Sequence, residues 1–112
     1  MTAPARPARS ARFYEDPPAW QDADGSRHWV VRGANFVLVA THAAPGARLG
    51  RDGATQIDEY MVLLPEGTSA QLAAGDASAS SEGDALAIVP PGASSVGVTA
   101  GGWLYRIFSR RA

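Results

Sequence analysis

Few groups in this chain of 112 residues are equipped for chemistry. It has two histidines, His28 and His42, and no cysteine, which excludes thiolate zinc sites, iron–sulfur clusters and thiol nucleophiles. A metal would have to draw on both imidazoles and on carboxylates, yet the histidines stand 14 residues apart, which is no metal-ligand spacing. Each is read as a hydrogen-bonded or solvated histidine, and no metal or other cofactor is expected. Lysine is absent and all ten cations are arginine, which excludes a Schiff-base lysine and a phosphate-loop lysine. Ser94 and Ser95 follow Pro90-Pro91-Gly92 without a Gly-x-Ser-x-Gly setting, so a serine nucleophile is not expected. A formal charge of -1 supplies no field for nucleic acid or an anionic membrane, and neither is expected as a partner.

The elements that must position these groups are short. Residues 1–12 alternate Ala, Pro and Arg and read as a mobile arm, because they carry too little apolar area to offset the entropy of ordering. No apolar core of roughly 7–15 residues follows Arg6, Arg9 and Arg12 as a signal peptide would require, and a cytoplasmic location is the default expectation. Phe13 to Trp20 contains two prolines and three aromatic anchors and is expected to lie extended along the domain or a neighbouring subunit. Beyond residue 26, runs rich in Val, Ile, Leu and aromatics alternate with Gly, Pro, Asp and Ser breakers, the pattern of an all-β sandwich or barrel. Expected strands are 28–32, 35–43, 57–64, 69–72, 77–80, 85–89, 94–99 and 103–109. The domain boundary is placed at residue 27, with an N-terminal arm before it.

Between Gly50 and Gly92 the chain resembles the cupin superfamily. Gly50, Glu59 and Gly67 fall near the glycine and glutamate positions of the first cupin motif, and Gly83 followed by Pro90-Pro91-Gly92 resembles the second with one extra residue. The resemblance implies a double-stranded β-helix, or jelly roll, with an extended N-terminal arm. It also implies a metal held by three imidazoles and one carboxylate, but the imidazole slots fall on Asp52 and Ala54, or Gly53 and Thr55, and on Ser95. Only Glu59 matches, so a metal-free cupin-like domain is expected.

Strand alternation then sorts the candidate site residues. The motif implies that Glu59 points inward, which would put Ile57, Met61 and Leu63 on a mostly apolar cavity wall. Desolvation there would suit Glu59 to general acid–base work. On the last strand Arg106 shares a face with Leu104 and Phe108. It either offers its guanidinium fork to Glu59 or to a carboxylate ligand, or covers the apolar face with its stem and reaches solvent. Tyr60, Tyr105 and Trp103 could stack on a ligand or belong to core or interface, while Trp29 and Phe36 are expected in the core. The expected function is binding of a small organic ligand, or assembly as a homodimer through sheet edges and the Phe13 to Trp20 arm. The alternative is a metal-independent isomerase, epimerase or lyase with Glu59 as acid/base and Tyr60 or Tyr105 as partner. A third is half of a larger two-domain barrel completed by a second copy.

Overall fold

Period-two burial organises the molecule, with side chains alternating between barrel interior and outer surface. The computed structural model describes residues 12–100 and 102–109; the expected arm of residues 1–12 lies, except for Arg12, outside them. A short 3-10 turn at Phe13–Glu15 leads into ten strands: β1 (Trp20–Gln21), β2 (Arg27–Arg32), β3 (Phe36–Ala43), β4 (Arg48–Arg51), β5 (Tyr60–Leu64), β6 (Ser69–Ala74), β7 (Ala77–Ser81), β8 (Ala85–Val89), β9 (Ser94–Ala100) and β10 (Gly102–Ser109). They form two sheets, ordered β1-β2-β3-β10-β5-β8 and β4-β9-β6-β7, with antiparallel pairing throughout. This is the all-β architecture that the strand pattern predicts, in the jelly-roll form that the cupin resemblance implies.

Turn chemistry fixes the register. β6 and β7 meet at Gly75-Asp76, where Gly75 adopts φ +57°; a left-handed residue in a two-residue loop matches the twist of the flanking strands. Gly83, between β7 and β8, is required for close approach. A Cβ there would sit 2.7 Å from the Pro65 carbonyl oxygen and 2.8 Å from the Gly67 nitrogen.

The core lies between the inner faces, where Val62, Leu64, Val96 and Leu104 are fully buried, with Tyr60 stacked on Phe108 at a centroid distance of 4.8 Å. The Tyr60 hydroxyl and the Ser94 hydroxyl lie 2.8 Å apart, a hydrogen bond that joins the two sheets across this core. The residues before β2 are part of the fold. β1 extends the sheet ahead of residue 27, and Phe13 packs against Trp29, Trp103 and Tyr105 on the outer face. The Trp29 indole N–H donates to the Asp16 carbonyl at 2.9 Å. The Phe13 to Trp20 segment therefore lies along its own domain, and it contains a turn as well as extended backbone.

Three expectations need correction. The strand expected over 57–64 begins only at Tyr60, because Gln56 and Asp52 tie the preceding residues into a loop. Phe36 is 43% exposed at the start of β3, on the outside of the core. β5 presents Tyr60, Val62 and Leu64 inward, not Met61 and Leu63, and Glu59 is exposed.

Candidate functional site

The site begins with one polar residue in an otherwise apolar row. Across the six-stranded sheet the registers align Val30, Val39, Arg106, Val62 and Ala87. Arg106 is 6% exposed and its Nε has no hydrogen-bond partner. Among the described residues, no carboxylate lies within ion-pair distance of it. Burial pushes its pKa down from the ordinary guanidinium range to about 10; Tyr60 opposes this, Arg51 lowers it further, and Asp22 opposes it more weakly. The group is still a cation at neutral pH. A buried charge without a counter-ion is destabilising, with an effective penalty of several kcal/mol.

Arg106 faces a cavity of about 280 Å³ that Trp20, Asp22, His28, Arg48 and Arg51 also line, with Val39, Leu49 and Phe108 as apolar wall. Arg51 and Arg106 place their guanidinium carbons 5.0 and 5.7 Å from the centroid of the same Phe108 ring. Arg51 is held there by its Nε–H, which donates to Gln56 Oε1 at 2.7 Å. Gln56 is itself buried, and its amide nitrogen donates to the Asp58 carbonyl at 2.5 Å. The loop between β4 and β5 thus orients a cation rather than a metal. Arg48 stands at the rim, 3.5 Å from the Ser95 hydroxyl.

The remaining polar lining comes from the β1–β2 hairpin, in the same sheet as Arg106. His28 is buried, with Nε2 2.7 Å from Asp22 Oδ2 and Nδ1 2.8 Å from the Thr41 hydroxyl. A carboxylate only accepts, so Nε2–H donates to Asp22, and Nδ1 shares a hydrogen bond with the Thr41 hydroxyl. Trp20 stacks on the imidazole at 4.5 Å with the planes 13° apart. Asp22 keeps a second oxygen that accepts no hydrogen bond among the described residues.

The structure divides the residues singled out in the sequence. Arg106 and Tyr60 point inward. Met61, Leu63 and Tyr105 lie on the outer side of the six-stranded sheet, and Glu59 borders a separate outer groove with Phe36, Met61 and Ile88. Inward placement of Glu59 is thereby overturned: β5 turns Tyr60, its neighbour, into the core. His28 and His42 cannot meet, because His28 pairs with Thr41 in register and His42 belongs to the other face, beside Arg27 and Trp103. Sequence reasoning missed Trp20, Asp22 and Arg51. The available signal for the first two was Asp24-Gly25 between Trp20 and His28, a turn dipeptide flanked by aromatics.

A cupin-type metal does not fit these residues. Asp52 Oδ1 accepts the Ala54 amide, Glu59 is exposed, and both His28 nitrogens are engaged. Among the described residues no three metal-ligating side chains gather.

No family model and no curated protein matches the sequence. Among solved structures, an RmlC-like cupin of Shewanella frigidimarina superposes with TM-score 0.68 at 16% identity, covering 91% of both chains. KdgF of a Halomonas species gives 0.67 at 14%, covering 93% of this chain and 96% of that one. A Cupin 2 conserved barrel domain protein of Salinispora arenicola gives 0.64 at 18%, covering 94% and 89%. At these identities the likeness concerns fold, and function has to be argued from the cavity itself.

Proposed function

On this cupin-fold barrel, we propose that the chain is a metal-independent binding domain for a small organic anion, acting as a homodimer. One observation carries the ligand reading: a buried guanidinium with an unsatisfied Nε–H opens on a cavity that a second guanidinium shares. A planar anion accepting the Arg106 fork would supply the missing acceptor and the missing counter-charge together.

The dimer reading rests on the outer face of the same sheet. Met61 and Leu63 on β5 and Leu86 and Ile88 on β8 are 37%, 40%, 59% and 64% exposed. They lie cross-strand, with Met61 opposite Ile88 and Leu63 opposite Leu86. Contiguous apolar surface of this kind is unusual on a face left in water. A second copy offers the same uncharged surface, which is what a two-fold interface requires.

Titration calorimetry with succinate tests the ligand reading. Binding is expected for the unmodified chain and its loss for Arg106→Met; equal heats from both proteins would refute it. Sedimentation at micromolar concentration tests the dimer, which a single monomeric boundary would refute.

A further inference from the structure

The cations of the cavity gather around one ring, and its one carboxylate comes from another element, which narrows the ligand. Arg106 on β10 and Arg51 on β4, one from each sheet, converge on Phe108, with Arg48 at the rim. Asp22 stands on the wall built by the β1–β2 hairpin. One of its oxygens is fixed by His28, which is buried and locked on its other nitrogen by Thr41, so the carboxylate has a defined orientation. Its second oxygen accepts no hydrogen bond among the described residues. A purely anionic ligand would leave that acceptor unmatched and place a negative group near it.

We propose that the ligand is a hydroxy acid. Its carboxylate sits on Arg106 and Arg51 and its hydroxyl donates to Asp22, while Trp20 covers one side. The inference rests on the anion reading above and adds the hydroxyl and its acceptor. A hydroxyl fits better than an ammonium group because three guanidiniums against one carboxylate leave the cavity net positive, which disfavours a second cationic group on the ligand. The same surplus favours a ligand with two carboxylates. Asp22 is thus a specificity residue: it distinguishes ligands by the group next to the anion, not by the anion.

Three four-carbon acids test this by calorimetry on the full chain: malate, succinate, which lacks the hydroxyl, and aspartate, which replaces it with an ammonium group. Malate is expected to bind about tenfold tighter than succinate, the size of one hydrogen bond to a charged acceptor, and tighter than aspartate. Asp22→Ala should reduce the malate advantage over succinate to within about twofold; Arg106→Met should abolish binding of all three. Equal affinities for malate and succinate in the unmodified chain would overturn the hydroxy-acid inference and leave the anion reading standing. Tightest binding of aspartate would overturn the choice of hydroxyl over ammonium. Absence of binding by all three acids would overturn both. The comparison of ligands on the unmodified chain holds even where Asp22→Ala loosens the hairpin.

Discussion

The two faces of the six-stranded sheet reverse the usual distribution of polarity. Inside, the row Val30, Val39, Arg106, Val62 and Ala87 carries a buried cation with an unsatisfied Nε and no counter-ion among the described residues. Outside, the strands that hold Val62 and Ala87 expose Met61, Leu63, Leu86 and Ile88. Each side is unfavourable for an isolated chain, for opposite reasons: one has desolvated a charge and the other has left apolar area in water. The outer face is itself divided. On β2, β3 and β10, the segment around Phe13 covers Trp29, and Trp29 and Ala40 are buried there. On β5 and β8 nothing from the described residues covers the equivalent rows. The proposed function uses this inversion on both sides, with a ligand at the interior cation and a second copy on the bare half of the exterior.

The comparison can be broken from either side. The largest effect is expected from Leu63→Glu, which places a charge at the centre of the bare patch. Self-association should weaken by roughly 100-fold or more, read by sedimentation, with succinate binding unchanged. A loss of folding without prior dissociation would mean that the patch serves the monomer. Next, Arg106→Met should raise stability by about 2 kcal/mol in urea unfolding, because it removes an uncompensated buried charge while roughly keeping volume. A destabilised variant would show that the cation is a structural element. Trp29→Phe keeps an aromatic ring but removes the donor to Asp16, and should cost about 1 kcal/mol while exposing the Phe13 segment to limited proteolysis; protection equal to the parent would uncouple that cover from the indole. The smallest effect is one of pH. The lowered pKa of Arg106 lies at about 10, so succinate affinity should be level through neutral pH and fall as pH rises through that value. A decline already below neutral pH would mean that another group carries the affinity.

Much of the fold was legible because turn residues cut the chain at regular intervals, and β8 runs over 85–89 as the spacing predicts. β4 was not legible: Arg48-Leu49-Gly50-Arg51 has one apolar side chain, and it is a strand because its backbone finds β9. The face of β5 was equally ambiguous, since Met61 and Leu63 are as apolar as Val62 and Leu64, and alternation cannot choose between two apolar sets. Glu59 followed the wrong set for that reason. Arg106 was readable because β10 alternates it with Ile107 and Tyr105 and groups it with Leu104 and Phe108. Asp22 acquires its setting only when the hairpin brings His28 over it, a contact at which the Asp24-Gly25 turn hints but which it does not specify.

The position of β10 has a consequence for how the chain is made. It is the last of the described strands in order, yet it lies between β3 and β5 at the centre of its sheet. As the chain leaves the ribosome, β3 and β5 each present an open edge until the tenth strand is available. The residue that marks the cavity arrives on that same strand, so any chain shortened before Gly102 loses the seam of the barrel and the cation together. Pairings between distant segments close slowly. Until that last insertion, the nascent protein carries two unpaired strand edges of the kind that invite association with other chains.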